Sequence, residues 1–163
     1  MDWHVAQINI GRLVAPVDDP AVAEFMDALD QINALAEASP GFVWRLQTET
    51  GNATDISPDP DDPSLIVNMS VWDSVEALAD YVYRSDHVGF LRRRREWFHA
   101  PSGAFQAMWW VPAGLQPTVE EGMGRVAAID AHGPSPYAFT FRARFDPPQL
   151  EPRPADVRDA CPA

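Results

Sequence analysis

Six polar side chains stand at alternate positions in three otherwise apolar segments: Gln7 and Asn9, Arg45 and Gln47, Asn68 and Ser70. A spacing of two is the side-chain period of a β-strand, so each pair emerges on one face of its strand. Amides and a hydroxyl on such a face can orient a ligand carbonyl or an oxyanion through hydrogen bonds. A guanidinium in mid-strand needs a partner, which could be Glu49, a residue of a second subunit or an anionic ligand. The same strand faces carry Val5, Val43, Ile66, Trp72, Gln106, Met108 and Trp110. That is too much Trp, Ile and Met for a face open to water, and too many amides for a dry core. Two readings fit: the amides satisfy one another across a subunit interface, or they line a cavity that takes a small molecule. In the second, Trp72, Trp110 and Tyr83 could stack on an aromatic substrate while Met108 packs beside it.

Two further groups could take part in chemistry. His87 follows Ser85-Asp86 at the start of a helical piece. It is the side-chain type best suited to moving protons near neutral pH, and it could also ligate haem iron; the alternative is a helix-start histidine bonded to nearby backbone. Arg92 to Arg95 form a basic run. On a helix at most two of them share a side, so a solvated face with ion pairs to Glu96 is one reading. The other is that one of them, such as Arg95, turns inward to bind a carboxylate or enolate.

The elements that must position these groups follow from periodicity. Strands are expected over Trp3–Leu13, Phe42–Glu49, Leu65–Trp72 and Ala104–Val111. A helix starting at Asp18-Asp19-Pro20 shows a 3.6-residue stripe through Val22, Phe25, Met26, Leu29, Ile32, Leu35 and Ala36, and ends at Ser39-Pro40-Gly41. Asp73 or Ser74 caps a second helix, with a break at Ser85-Asp86 and a further helical piece to Phe98. A third helix opens at Thr118 and closes at His132-Gly133-Pro134, and Tyr137–Phe141 could add a short strand. The order β-α-β-β-α-β is the ferredoxin-like split βαβ arrangement with a C-terminal helical extension. The apolar sets Ala6/Ile8/Ile10, Phe42/Trp44/Leu46, Leu65/Val67/Met69/Val71 and Phe105/Ala107/Trp109/Val111 suit the helix-covered side. The mixed sets are then expected on a face without cover in the chain. Residues 1–145 form the expected domain, 51–64 a mobile polar loop, and 146–163 a Pro-rich, disordered tail.

Composition bounds the function classes. In 163 residues the net charge is −12, which argues against nucleic acid or an anionic membrane surface as partner. Hydrophobic residues at 46% and charged residues at 22% are ordinary globular values. All twelve basic residues are arginine, and the single cysteine, Cys161, excludes an intrachain disulfide. The start of the chain lacks the pattern of a signal peptide, and no apolar run approaches the ~20 residues of a membrane helix, so a cytoplasmic location is expected. There is no glycine-rich phosphate loop, nucleophile elbow or H-E-x-x-H motif, and the four histidines show no metal spacing.

The segments Val5–Ile10, Pro40–Gln47, Val67–Trp72, Tyr83–His87, Leu91–Phe98, Met108–Gly114, Pro117–Glu121, His132–Pro134 and Phe139–Arg142 together resemble a bacterial family of unassigned function. That family is similar to the dimeric α/β-barrel superfamily, which includes the antibiotic-biosynthesis monooxygenases. The resemblance implies an α+β fold and a homodimer. It points only weakly to chemistry, because the superfamily holds cofactor-free oxygenases, isomerases, cyclases, dehydratases and haem enzymes. The expectation is a cofactor-independent, monooxygenase-like or cyclase/isomerase enzyme of apolar or aromatic metabolites. Arg45, Asn68 and His87 are its candidate catalytic residues, and Gln7, Asn9, Gln47, Ser70, Trp72, Tyr83, Arg95, Met108 and Trp110 its candidate binding residues. A non-catalytic metabolite-binding or interaction dimer and a haem protein are the alternatives.

Overall fold

The computed structural model describes residues 2–149, with the side chain of His87 excepted. The tail expected beyond residue 146, with Cys161, falls from residue 150 onward outside the described residues.

Four strands, β1 (Trp3–Arg12), β2 (Phe42–Arg45), β3 (Leu65–Trp72) and β4 (Gln106–Pro112), form one antiparallel sheet in the order β2-β3-β1-β4. With helices α1 (Ala23–Glu37) and α2 (Val75–Arg84) in the two crossovers, this is the ferredoxin-like arrangement. A separate helix α3 (His87–Trp97) follows the break at Ser85-Asp86, and α4 (Val119–His132) is the C-terminal extension. Local chemistry sets the ends. Asp19 accepts a hydrogen bond from the Ala21 amide ahead of α1, Ser74 caps α2 and Thr118 caps α4. Gly133 stops α4 with φ of 76°, a backbone shape that favours glycine.

β1 lies between β3 and β4 and is enclosed on both sides: Val5, Ala6 and Ile8 are fully buried and Gln7 nearly so. The faces are covered differently from the expectation. The apolar set packs beneath α4: Ala6, Ile8, Val67, Met69, Val71, Ala107 and Trp109 form one cluster with Val126, and Val119, Met123 and Ile129 rest on it. The mixed set lies under α1, α2 and α3. Parity groups the residues of β1, β3 and β4 correctly, but Phe42 packs on Trp72 with the mixed set and Phe105, ahead of β4, lies on the cavity side, and parity does not say which helices cover a face. Both faces are therefore covered within one chain, and no second subunit is required over the mixed face. The strand expected over Tyr137–Phe141 shrinks to isolated bridges, of which one reaches the sheet: Phe139 exchanges two 2.8 Å backbone bonds with Met108 on the outer edge of β4.

β2 is shorter and less regular than its alternation suggests: the chain bulges between Phe42 and Trp44, and its last backbone bond to β3 runs from the Leu46 amide to the Met69 carbonyl at 2.8 Å. The 51–64 segment is a run of turns fastened to the body. The Gly51 carbonyl accepts from Arg45 at 2.7 Å, Asn52 accepts from Asn33 at 2.8 Å, Asp62 pairs with Arg12, and Ile56 packs onto the apolar cluster.

α4 approaches the sheet closely only because Gly122 has no side chain: a Cβ there would lie 2.6 Å from Ile8 Cδ1 and 3.4 Å from Trp109 Cη2. Gly124, two residues on, faces open space. Gly122→Ala is expected to destabilise by about 1–3 kcal/mol through overpacking, whereas Gly124→Ala should be neutral or add up to ~1 kcal/mol of helix propensity. Denaturant unfolding of both variants checks this; equal midpoints would mean that α4 does not press on the sheet at Gly122.

Candidate functional site

A cavity of about 410 Å³ lies between the mixed sheet face and the three helices above it. Its floor is Gln7 and Asn9 of β1, Asn68 and Ser70 of β3, and Gln106 and Met108 of β4. The walls come from Phe25, Leu29 and Ile32 of α1, Leu78, Tyr81 and Val82 of α2, and Phe90, Leu91, Arg94 and Trp97 of α3, with Phe139 to Phe141 closing one side. An apolar enclosure with few convergent polar groups is the usual form of a small-molecule site.

The floor is one hydrogen-bonded row. Trp72 Nε1 donates to Ser70 Oγ at 2.9 Å, Gln7 Nε2 donates to Ser70 Oγ at 2.9 Å and to Asn68 Oδ1 at 3.1 Å, and Asn9 Nδ2 donates to Gln7 Oε1 at 2.7 Å. Strand register makes the row: Gln7 stands opposite Ser70, and Asn9 opposite Asn68. Gln7 is spent on the protein. Asn9 and Asn68 keep part of their amides free of described protein partners and facing the cavity.

Two arginines line the cavity, and their situations differ. Arg45 is held by Glu37 at 2.7 Å and by the Gly51 carbonyl at 2.7 Å, so it has the acid partner that a strand guanidinium needs, and that partner is not Glu49. Arg94 has no carboxylate partner among the described residues. Its guanidinium lies 4.7 Å from the centre of the Phe98 ring and 5.2 Å from that of Phe105, and donates to the Ile10 carbonyl at 3.3 Å. Burial pushes its pKa down, but an arginine starts so far above neutrality that it stays cationic. Gly11 admits it: a Cβ there would meet the Phe98 ring at 2.7 Å and Arg94 Nη2 at 3.0 Å.

Tyr81 stacks on Trp72 with ring centres 5.1 Å apart, and its hydroxyl donates to the Ile32 carbonyl at 3.4 Å. Burial pushes the pKa of that hydroxyl far up, against a smaller downward pull from Arg45, so it is a neutral wall group rather than a base.

Gln7, Asn9, Arg45, Asn68, Ser70, Tyr83 and Met108 therefore meet in one cavity, with half-exposed Tyr83 at its rim. Gln47 is exposed beyond the end of β2, and Arg95 is exposed on the outer side of α3. Trp72 is fully buried behind Ser70, and Trp110 is turned away to donate to the Phe145 carbonyl at 2.8 Å. His87 is the first residue of α3, four residues ahead of the cavity residue Leu91. The inward-facing member of the arginine run is Arg94, not Arg95. The signal for it was Gly11, whose place inside a strand marks a close approach. Gln106, which faces Asn9 from β4, was read as part of the mixed face and Phe25 as part of a helix stripe, but neither they nor Phe90 stood among the candidate site residues. Among the described residues, no group of His, Cys, Asp and Glu could hold a metal ion, and no helix is long and apolar enough to cross a membrane.

Strand order and helix placement define an α+β protein of ferredoxin-like topology with a cavity between sheet and helices. The chain belongs to the family described as Domain of unknown function (DUF3291), whose model matches residues 4–155. No curated protein matches it. Solved structures with similar folds include SnoaB of Streptomyces nogalater, a cofactor-independent oxygenase, at 16% identity and a TM-score of 0.45, covering 69% of this chain and 95% of that one. A conserved protein from Methanosarcina mazei Go1 matches at 13% identity and a TM-score of 0.46, covering 66% and 90%. A Chloroflexus aurantiacus protein, provisionally described as an antibiotic biosynthesis monooxygenase, matches at 21% identity and a TM-score of 0.42, covering 70% and 97%. All three TM-scores are below 0.5.

The wall that carries Arg94 is fastened by its neighbour. Arg93 pairs with Glu24 of α1 and, at 2.7 Å, with Glu96, and these hydrogen bonds hold both carboxyls below the usual glutamate range. A carboxyl whose pKa is lowered by folding contributes its stabilisation above its unfolded value and loses it as pH falls through the folded one. Acidification from about pH 4.3 downward is thus expected to lower the protection factors of the α3 amides, taken against the intrinsic exchange rate at each pH, ahead of those of the sheet. Hydrogen exchange measured against pH checks this, and Arg93→Ala should show fast α3 exchange already at neutral pH. Equal, pH-independent protection of α3 in both proteins would refute the anchoring role.

Proposed function

We propose that this protein is an enzyme that binds a planar apolar or aromatic metabolite in the cavity and stabilises it as an enolate or phenolate against Arg94. The observation that carries this reading is the Arg94 guanidinium: half-buried, lining an apolar cavity, and without a carboxylate partner among the described residues. A cation in that setting strengthens its hold on an anion, because little water competes with the contact. The flanking aromatic residues suit a flat ring, and the amide row suits a carbonyl.

An anion held in this way favours chemistry at the adjoining carbon. In an isomerisation or cyclisation, the proton lost from one atom returns to another. In a cofactor-free oxygenation, the carbanion reacts with dioxygen: a CH₂ group becomes C=O, one oxygen atom enters the product, the other leaves as water, and every electron comes from the substrate carbon. His87 is the candidate proton carrier, on the ground of its place at the start of the helix that walls the cavity. Homodimerisation remains an expectation drawn from the resemblance, and a cytoplasmic setting one drawn from cysteine usage and the lack of a membrane-helix run.

Anthrone, which has such a CH₂ group opposite a ketone, serves as the probe. The protein is expected to bind it and to form anthraquinone with matching oxygen uptake. Arg94→Met should lower kcat/KM by about tenfold to a hundredfold, in line with the ~1.5–3 kcal/mol of a hydrogen bond to a charged group, while leaving the unfolding midpoint close to that of the parent. Binding without turnover would favour the non-catalytic, metabolite-binding reading. Absence of binding, or an Arg94→Met protein as active as the parent, would overturn the assignment.

A further inference from the structure

We infer that the floor of the cavity selects ligands carrying a carbonyl acceptor beside an N–H donor on one edge, as in a lactam. The inference rests on the proposal that this cavity binds a planar ring, and adds which edge of the ring meets the sheet.

The argument is one of hydrogen-bond accounting. An amide side chain has one end that donates and one that accepts. Gln7 lies between Asn9 and Asn68: its Nε2 donates to Asn68 Oδ1 and its Oε1 accepts from Asn9 Nδ2. Asn68 therefore has its donor end, Nδ2, left for the cavity, and Asn9 has its acceptor, Oδ1. The two residues stand directly opposite each other on β1 and β3, so donor and acceptor lie side by side.

The conclusion does not depend on the direction in which the row runs. The indole of Trp72 can only donate, so Ser70 Oγ must accept from it. The serine hydroxyl could then accept from Gln7 as well, or donate to it. If it donates, the Gln7 amide turns over and both asparagines turn with it. Asn68 then offers the acceptor and Asn9 the donor. In either sense Gln7 forces the two asparagines to present opposite ends, so this pair shows one donor and one acceptor; the Gln106 amide, opposite Asn9 on β4, can turn either end to the cavity. Gln7 is a positioning residue: it is nearly buried, and its amide is consumed by its neighbours.

Carbostyril and coumarin test this. They have the same bicyclic shape and the same carbonyl, and differ only in N–H against ring oxygen. Calorimetric titration is expected to give carbostyril about tenfold tighter binding, the scale of one net hydrogen bond plus an acceptor left unpaired. Asn9→Ala and Asn68→Ala should divide the effect. The variant that removes the acceptor should bind the two compounds equally, and the variant that removes the donor should weaken both alike and keep their ratio; which is which reports the direction of the row. Equal binding of the two compounds to the parent protein would overturn the inference while leaving the planar-ligand reading standing. Binding of neither would overturn both. Loss of the ratio in both variants, with unfolding midpoints preserved, would also count against a divided pair.

Discussion

Everything in this fold depends on β1 being enclosed on both sides. Its successive residues enter two different interiors, an apolar one under α4 and a mixed one under α1 to α3. Gln7 cannot reach solvent to satisfy its amide, so its partners have to be built into the neighbouring strands. The register that places Ser70 opposite Gln7 and Asn68 opposite Asn9 supplies them. A slip of one residue along β1 would drive Gln7 into the Ile8 and Trp109 cluster and lose every bond of the row. The polar floor thus specifies the pairing of the sheet as well as lining a cavity.

Most of the architecture could be read from the residues. Strand alternation in β1, β3 and β4, the α1 stripe and the capping residues Asp19, Ser74 and Thr118 are local signals, and the structure bears them out; in β2 a bulge breaks the alternation. The grouping of Gln7, Asn9, Arg45, Asn68, Ser70 and Met108 on one face follows from parity alone, and all six line the cavity. What parity does not carry is the identity of the covering layer, because a sheet face has no local record of which helix will reach it. α4 reaches the apolar face through Gly122, and the close contact there is a tertiary fact. For the same reason Arg94 could not be distinguished from Arg95: the helix turns by about 100° per residue, and only docking against Gly11 and Phe105 decides which guanidinium points inward.

The two cavity arginines show how neighbours sort residues of one type into different roles. Arg45 is neutralised by Glu37 and tied to the 51–64 segment, so its charge is spent on holding the chain together. Arg94 is cushioned by rings and one carbonyl, so its charge remains available. Arg93, next to it in sequence, faces the other way and fastens α3 to α1 through Glu24. A single turn of α3 thus combines a fastening with a group exposed to the cavity.

The bridge between Phe139 and Met108 has a consequence for how the molecule meets others of its kind. It occupies the middle of the β4 edge with two backbone bonds, while the opposite edge is the four-residue, bulged β2. An incoming strand finds neither a long nor a regular row of free amides and carbonyls on which to add. Crowded copies of this protein are thereby discouraged from zipping their sheets into a continuous ribbon.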